Sequence, residues 1–230
     1  AVEVEDAQGV WRVEPQNAFP PLDANWTTLY ISADGSLGSE PGESGSFPLA
    51  PLVGYGGLAH RMGAPSAPMS RIHFETEPLA EDLRLSGMPR VHLTAIPSGP
   101  GGHLFATLYD YDGKTETRIG HAAMDLRFAA GDGQMRPVVP GMPLEVKMEL
   151  FALDYLVAKG HSIHLVISQE SEGEPGLDPI PNPSGGIIRV TVGGDALSEV
   201  HLPVIVRDQS AFDLGWKPLV KTDADEAGGA

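Results

Sequence analysis

Between Ile72 and Leu93 the apolar residues alternate with polar ones and are interrupted by chain breakers. Ile72 and Phe74 come first, then Leu83 and Leu85, then Val91 and Leu93, with Pro78 and Gly87-Met88-Pro89 between them. A period of two with Gly and Pro at the breaks describes strands of a half-buried sheet. The stretch therefore predicts a strand, a turn opened by Pro78, a second strand, a Gly-x-Pro turn and a third strand.

The same pattern runs through most of the chain. Strands are expected around Val2 to Val4, Val10 to Val13 and Thr27 to Ile31, then at Arg90 to Ile96, His103 to Tyr111 and Glu116 to Phe128, the last with a break near Gly120. Leu144 to Leu150 is the cleanest: Leu144, Val146, Met148 and Leu150 face one way, and Glu145, Lys147 and Glu149 the other. Tyr155 to Val157, His161 to Ser168, Ile187 to Val192 and Val200 to Val206 complete the series. Only short turns near Ala80 or Ala152 suggest helix. Glycine (28) and proline (21) make up about a fifth of the 230 residues, which favours many turns over long helices. Short strands at this spacing predict an all-β fold, a β-sandwich or jelly roll.

One such domain is expected over residues 1–206. Residues 32–70 are rich in Gly, Pro and Ser and read as a long loop where a partner or ligand could touch, Tyr55 included. Residues 207–230 read as an extension that is partly disordered or binds a partner. Phe212, Leu214, Trp216 and Leu219 in it are interaction candidates, either packing back on the domain or adding to a neighbour's sheet edge.

Charge narrows the partners. A formal net charge of −16 repels phosphate backbones and anionic lipid, so nucleic acid and membrane surfaces are poor partners. No apolar run approaches the ~20 residues that span a bilayer. There is no cysteine, hence no disulfide or thiolate chemistry. The chain opens Ala1-Val2-Glu3-Val4, which reads as a processed mature form or a fragment, and a secreted or cell-surface location is favoured over a cytoplasmic one.

The chemistry-bearing motifs are weak. Gly42-Glu43-Ser44-Gly45-Ser46 lacks the final Gly of a nucleophile elbow and has neither the strand before it nor the helix after it that an elbow needs. His161 and His164 are three apart, so a strand points them to opposite faces. His73, His92, His103 and His121 lie on different predicted strands, and ordinary surface or core histidines are expected. Asp110 and Asp112 resemble half a calcium loop and are the calcium candidates, although Asp112-Gly113 is more simply a hairpin turn. Gly99 to Gly102 opens no helix and is not a phosphate cradle. No catalytic residue, cofactor-binding residue or firm metal ligand emerges.

Several of these motifs, in this order, resemble the C-terminal domain of the X-prolyl dipeptidyl peptidase and cocaine-esterase hydrolases. Phe74, Thr76, Pro78 and Leu79, followed by Gly87 and Pro89, match that family's strand, Gly-x-Pro and strand. Gly120 to Arg127, Pro140-Gly141-Met142-Pro143, Lys159-Gly160-His161 and Asn182-Pro183 are similar to later elements. Trp11-Arg12, Phe19-Pro20-Pro21, Leu29-Tyr30-Ile31 and Asp34-Gly35 are similar to its opening. The chain departs from the pattern at Ser162 and His164, where the family has basic residues, and at the acidic loop Gln169 to Gly176.

The resemblance implies a jelly-roll β-sandwich of galactose-binding-like type that packs beside an α/β-hydrolase domain, helps shape its substrate cleft and takes part in oligomer contacts. The family's catalytic residues lie in the hydrolase domain, so none transfers here, and the position matching His161 is structural. A non-catalytic accessory domain is the leading expectation. A self-assembling filament or surface-layer subunit, with copies of itself as partners, is the alternative. A carbohydrate-binding module using Tyr55, Tyr109, Tyr111 or Trp216 is the third.

Overall fold

The computed structural model describes residues 2–6, 11–14, 18–22, 24–50, 71–169, 186–194 and 198–205. Fifteen strands follow in chain order. They are β1 (Val2–Asp6), β2 (Trp11–Glu14), β3 (Ala24–Ile31), β4 (Leu37–Gly38), β5 (Gly45–Leu49), β6 (Arg71–Glu75), β7 (Leu83–Gly87) and β8 (Arg90–Pro97). Then come β9 (His103–Tyr111), β10 (Glu116–Asp125), β11 (Leu144–Glu149), β12 (Leu153–Val157), β13 (Ser162–Ser168), β14 (Ile188–Val192) and β15 (Glu199–Ile205). The only helical turn among the described residues is Leu126–Phe128, where the Asp125 side chain accepts a hydrogen bond from the Arg127 amide. That cap ends β10 three residues before the end expected from the sequence. No helix among the described residues is long and apolar enough to cross a membrane.

The strands form two sheets with the core between them, the expected β-sandwich. The smaller sheet is antiparallel in the order β10-β9-β13-β6. Ile72, Phe74, Leu104, Leu108, Ile163, Leu165 and Ile167 point inward from it. They meet Leu85, Val91, Leu93, Val146, Met148, Val190, Val200 and Leu202 of the larger sheet. Each strand shows one apolar face because alternation along an extended chain sends every second side chain to the same side.

The larger sheet is organised around a bent rib. β7 and β8 run in the same direction along one neighbour: Val200 pairs with Val91, and further along the same strand Val204 pairs with Leu85. Gly87-Met88-Pro89 is therefore a kink within one rib, and not the chain reversal that a Gly-x-Pro turn suggests. β11 and β12 repeat the arrangement on the other side, Val146 opposite Leu93 and Tyr155 opposite Leu85. The Leu150 amide donates to the Pro89 carbonyl at the bend, 2.8 Å. β14 continues beside the far end of β8, β3 lies against β15, β5 against β14, and β1 lies parallel to β12.

The kink needs glycine. Gly87 has φ +143°, and a Cβ there would sit 2.9 Å from Pro203 Cβ and 3.3 Å from Pro20 Cβ. Neither proline ring can swing aside. On the rib's face away from the core, Arg84 and Asp154 form a bidentate pair with two bonds of 2.8 Å, and Ser86 Oγ donates to Asp154 at 3.1 Å. Both side chains of the pair are almost fully buried.

Other expectations meet the structure as follows. The break near Gly120 is a β-bulge, a register shift between Arg118 and Gly120. The Pro78 segment crosses between the sheets, with the Thr76 and Leu79 amides bonded to the carbonyls of Ile163 and His161. Trp26 is half exposed, with the Arg90 guanidinium 4.7 Å above its ring. The stretch 32–70 is not all loop: β4 and β5 lie within it, and Phe47 stands edge-on to Phe74 at 5.6 Å. Pro48 is tolerated because β5 borders the sheet, where a missing N–H costs no ladder bond. Tyr55, with residues 51–70, and Phe212, Leu214, Trp216 and Leu219, with residues 206–230, lie outside the described residues.

Two substitutions test the rib. Gly87→Ala should lower unfolding free energy by about 2–3 kcal/mol in urea titrations, more than Gly113→Ala, where φ is also positive but nothing lies within 4 Å. Asp154→Ala removes the bidentate carboxylate from a buried guanidinium and should cost about 3–5 kcal/mol in the same titration.

Candidate functional site

Three side-chain constellations come together at strand ends and sheet faces. The first ties the two sheets. Asp110 is buried on β9, where its Oδ2 accepts from the Tyr155 hydroxyl of the opposite sheet at 2.9 Å. Its Oδ1 lies 2.8 Å from His161 Nδ1, just before β13. Each carboxylate oxygen thus has a partner, and His161 orients a buried acid. Asp112 does something different. Its Oδ1 accepts the amides of Lys114 and Thr115 at 2.8 and 2.7 Å and closes the β9–β10 hairpin over Gly113. The fold thus gives the two calcium candidates separate tasks, one in the core and one in a turn.

The second constellation was not visible from sequence spacing. β6, β13 and β9 place His73, Glu75, His164 and Tyr111 on the outer face of the smaller sheet, and Glu116 reaches in from the start of β10. His73 Nε2 lies 2.9 Å from His164 Nδ1, and Glu116 Oε1 lies 2.9 Å from the same Nδ1 and 3.4 Å from His73 Nε2. On the far side of the His164 ring, Nε2 is 3.4 Å from Glu75 Oε2, has no hydrogen-bond partner, and is buried. The Tyr111 ring covers His164 at 4.5 Å.

Burial pushes the Glu116 carboxyl up, but the hydrogen bond to His164 and the positive potential of His164, His73 and Arg71 together hold it below its ordinary 4.5. His73 and His164 are 91 residues apart, so only the β6–β13 register joins them. His161, three residues before His164, points to the other face and meets Asp110, as the alternation expected from the sequence requires.

The third constellation lies on the larger sheet. Glu199 pairs with His92 across β15 and β8, the His92 and His201 rings are 4.8 Å apart, and His201 bonds Glu199 at 3.1 Å and Thr28 at 3.0 Å. Burial, then His201 and Lys147, lower the His92 pKa, and Arg90 adds to this. The cationic neighbours make this a poorer cation site than the second cluster. Of the aromatic residues considered for sugar binding, Tyr109 is buried and Tyr111 lies on His164, while Tyr55 and Trp216 are outside the described residues. Ser44 leads directly into strand β5, with no helix following it.

Of these three groupings only the third sets a hydroxyl, that of Thr28, beside an imidazole. The profile of the family described as the X-Pro dipeptidyl-peptidase C-terminal non-catalytic domain matches residues 1–185. The chain belongs to this family of non-catalytic domains. A putative Xaa-Pro dipeptidyl-peptidase of Streptomyces avermitilis is 28% identical, over 43% of this chain and 21% of the relative. A CocE/NonD family hydrolase from Staphylococcus aureus superposes with a TM-score of 0.72 at 15% identity, over 88% of this chain and 41% of that one. An aminopeptidase from a marine sediment Thaumarchaeota archaeon gives 0.66 at 19%, over 87% and 39%. An α-amino acid ester hydrolase gives 0.62 at 20%, over 86% and 39%. The chain thus spans about a fifth of the curated relative and about two fifths of each of these structures. At these identities the superpositions show a shared fold. The resemblance read from Phe74 to Pro89 and the later Gly/Pro elements is confirmed by the family match.

Two measurements probe the site electrostatics. Tyr155→Phe leaves a buried carboxylate one bond short and should cost about 1–3 kcal/mol. Glu116 has a depressed folded-state pKa, so its stabilising effect is full above the ordinary value and is lost as pH falls through the lowered one. In metal-free buffer, Glu116→Gln should therefore lose less stability than the native chain between about pH 5 and pH 3.

Proposed function

We propose that this chain is the accessory β-sandwich of an X-Pro dipeptidyl-peptidase-type serine hydrolase, docking on an α/β-hydrolase domain and helping to bound its substrate cleft. One observation carries the reading: a non-catalytic family profile covers residues 1–185, and hydrolase or aminopeptidase chains more than twice this length contain the same sandwich. The chemistry of the chain supports it, because the buried acids and histidines hold strands together. The role is then one of shape and contact. A rigid sandwich presents loops and sheet faces to a neighbouring domain without itself touching the reacting bond.

The test mixes the purified chain with the Streptomyces avermitilis relative truncated before its own matching region, and follows mass by light scattering and turnover of X-Pro anilide substrates. The chain alone should run near 24.3 kDa and release no product, and the mixture should contain a one-to-one complex. Turnover by the chain alone would overturn the reading. A large heterogeneous mass for the chain alone, lost on deletion of residues 207–230, would replace it with self-assembly. Retention on polysaccharide without any hydrolase complex would replace it with carbohydrate binding.

A further inference from the structure

We infer that His73, His164 and Glu116 form a binding site for a divalent late transition-metal ion of the zinc class, which staples the smaller sheet across its width. The three candidate ligand atoms, His73 Nε2, His164 Nδ1 and Glu116 Oε1, form a triangle with sides of 2.9, 2.9 and 3.4 Å. A triangle with these sides has a circumradius of about 1.8 Å, shorter than the ~2.0–2.1 Å bonds from zinc to imidazole nitrogen or carboxylate oxygen. One ion about 1 Å out of the plane therefore reaches all three. Two imidazoles and one carboxylate suit zinc and its neighbours and do not suit calcium, which takes six or more oxygens.

The proton count points the same way. His164 Nδ1 has one in-plane position for a proton or lone pair, and both His73 Nε2 and Glu116 Oε1 converge on it at 2.9 Å. One shared proton serves two such partners poorly, whereas one cation satisfies all three atoms at once. The opposite side of the ring supplies the independent sign. His164 is 4% exposed, and its Nε2 has no hydrogen-bond partner but lies 3.4 Å from Glu75 Oε2. When Nδ1 binds a metal, Nε2 must carry the proton and point it at an acceptor. A carboxylate in that place is the usual outer partner of a metal-bound histidine. Tyr111, stacked at 4.5 Å, fixes the ring plane.

The strand order gives the ion its effect. β6 and β10 are the two outer strands of the sheet, and β13 lies between them. An ion held by His73, His164 and Glu116 links both edges. The His73 and Glu116 side chains are 43% and 35% exposed, which leaves a path for entry. The chain's acidic surface draws cations towards it. This inference does not depend on the presence of a hydrolase partner.

The test is calorimetric titration of Zn²⁺ into the full chain, carrying no histidine tag and stripped with chelator, with thermal unfolding followed in parallel. One saturable site per chain is expected, with a midpoint that rises as free Zn²⁺ rises. His73→Gln and Glu116→Gln, both at partly exposed positions and checked for native circular dichroism, should each abolish that site. Glu75→Gln should weaken it by about tenfold. His92→Gln, in the other histidine cluster, should leave it intact. Three results would overturn the site: no saturable Zn²⁺ binding, binding unchanged in both His73→Gln and Glu116→Gln, or a thermal shift with Ca²⁺ and none with Zn²⁺. Loss of binding in His92→Gln alone would likewise overturn it, by moving the ion to the larger sheet.

Discussion

The rib from Leu83 to Pro97, bent at Gly87 and laid along β15, is the constraint on which the rest depends. It is flanked by β11 and β12 on one side and by β15 and β14 on the other, so its backbone groups are used on both edges. The bend lets its two halves follow the twist and close over the smaller sheet. Gly87 makes the bend possible because Pro203 and Pro20 occupy the space a side chain would need. The Arg84–Asp154 pair then fixes β7 to β12 on the face that the apolar core does not reach.

The second level of organisation is polar, partly within that core and partly on the outer face of the smaller sheet. Asp110 receives Tyr155 from the opposite sheet and His161 from the strand entry, so a buried charge joins both sheets at one end. His73, His164 and Glu116 link strands that the ladder alone connects only through β9 and β13. These acids and imidazoles brace the sandwich. That fits membership in a non-catalytic family.

The strand positions were legible because alternation and Gly/Pro punctuation are local. His103–Tyr111 lies where the pattern puts it, and the Gly120 break is a real bulge. The Gly-x-Pro at Gly87 was legible as a break but not as a kink, since its direction is set by β15, more than a hundred residues later. β5 was hidden because Gly45 and Pro48 leave only Phe47 and Leu49 to alternate, and its strand character comes from pairing with β14. The histidine clusters were illegible for the same reason. His73 and His164, or His92 and His201, meet only through the registers of β6 with β13 and of β8 with β15. The one polar link anticipated in part was His161, marked as structural by family resemblance and found beside Asp110. Strand existence is written in neighbouring residues, whereas sites on a sheet are written in pairing.

The most direct measurement of the account is amide hydrogen exchange resolved along the intact chain. If the bent rib is the structural centre, amides of residues 90–93 and 199–202 should exchange only through global unfolding, and residues 116–118 at the outer edge of β10 should exchange through local opening well below that free energy. Equal protection at the two places, or faster exchange in the rib than at that edge, would contradict it.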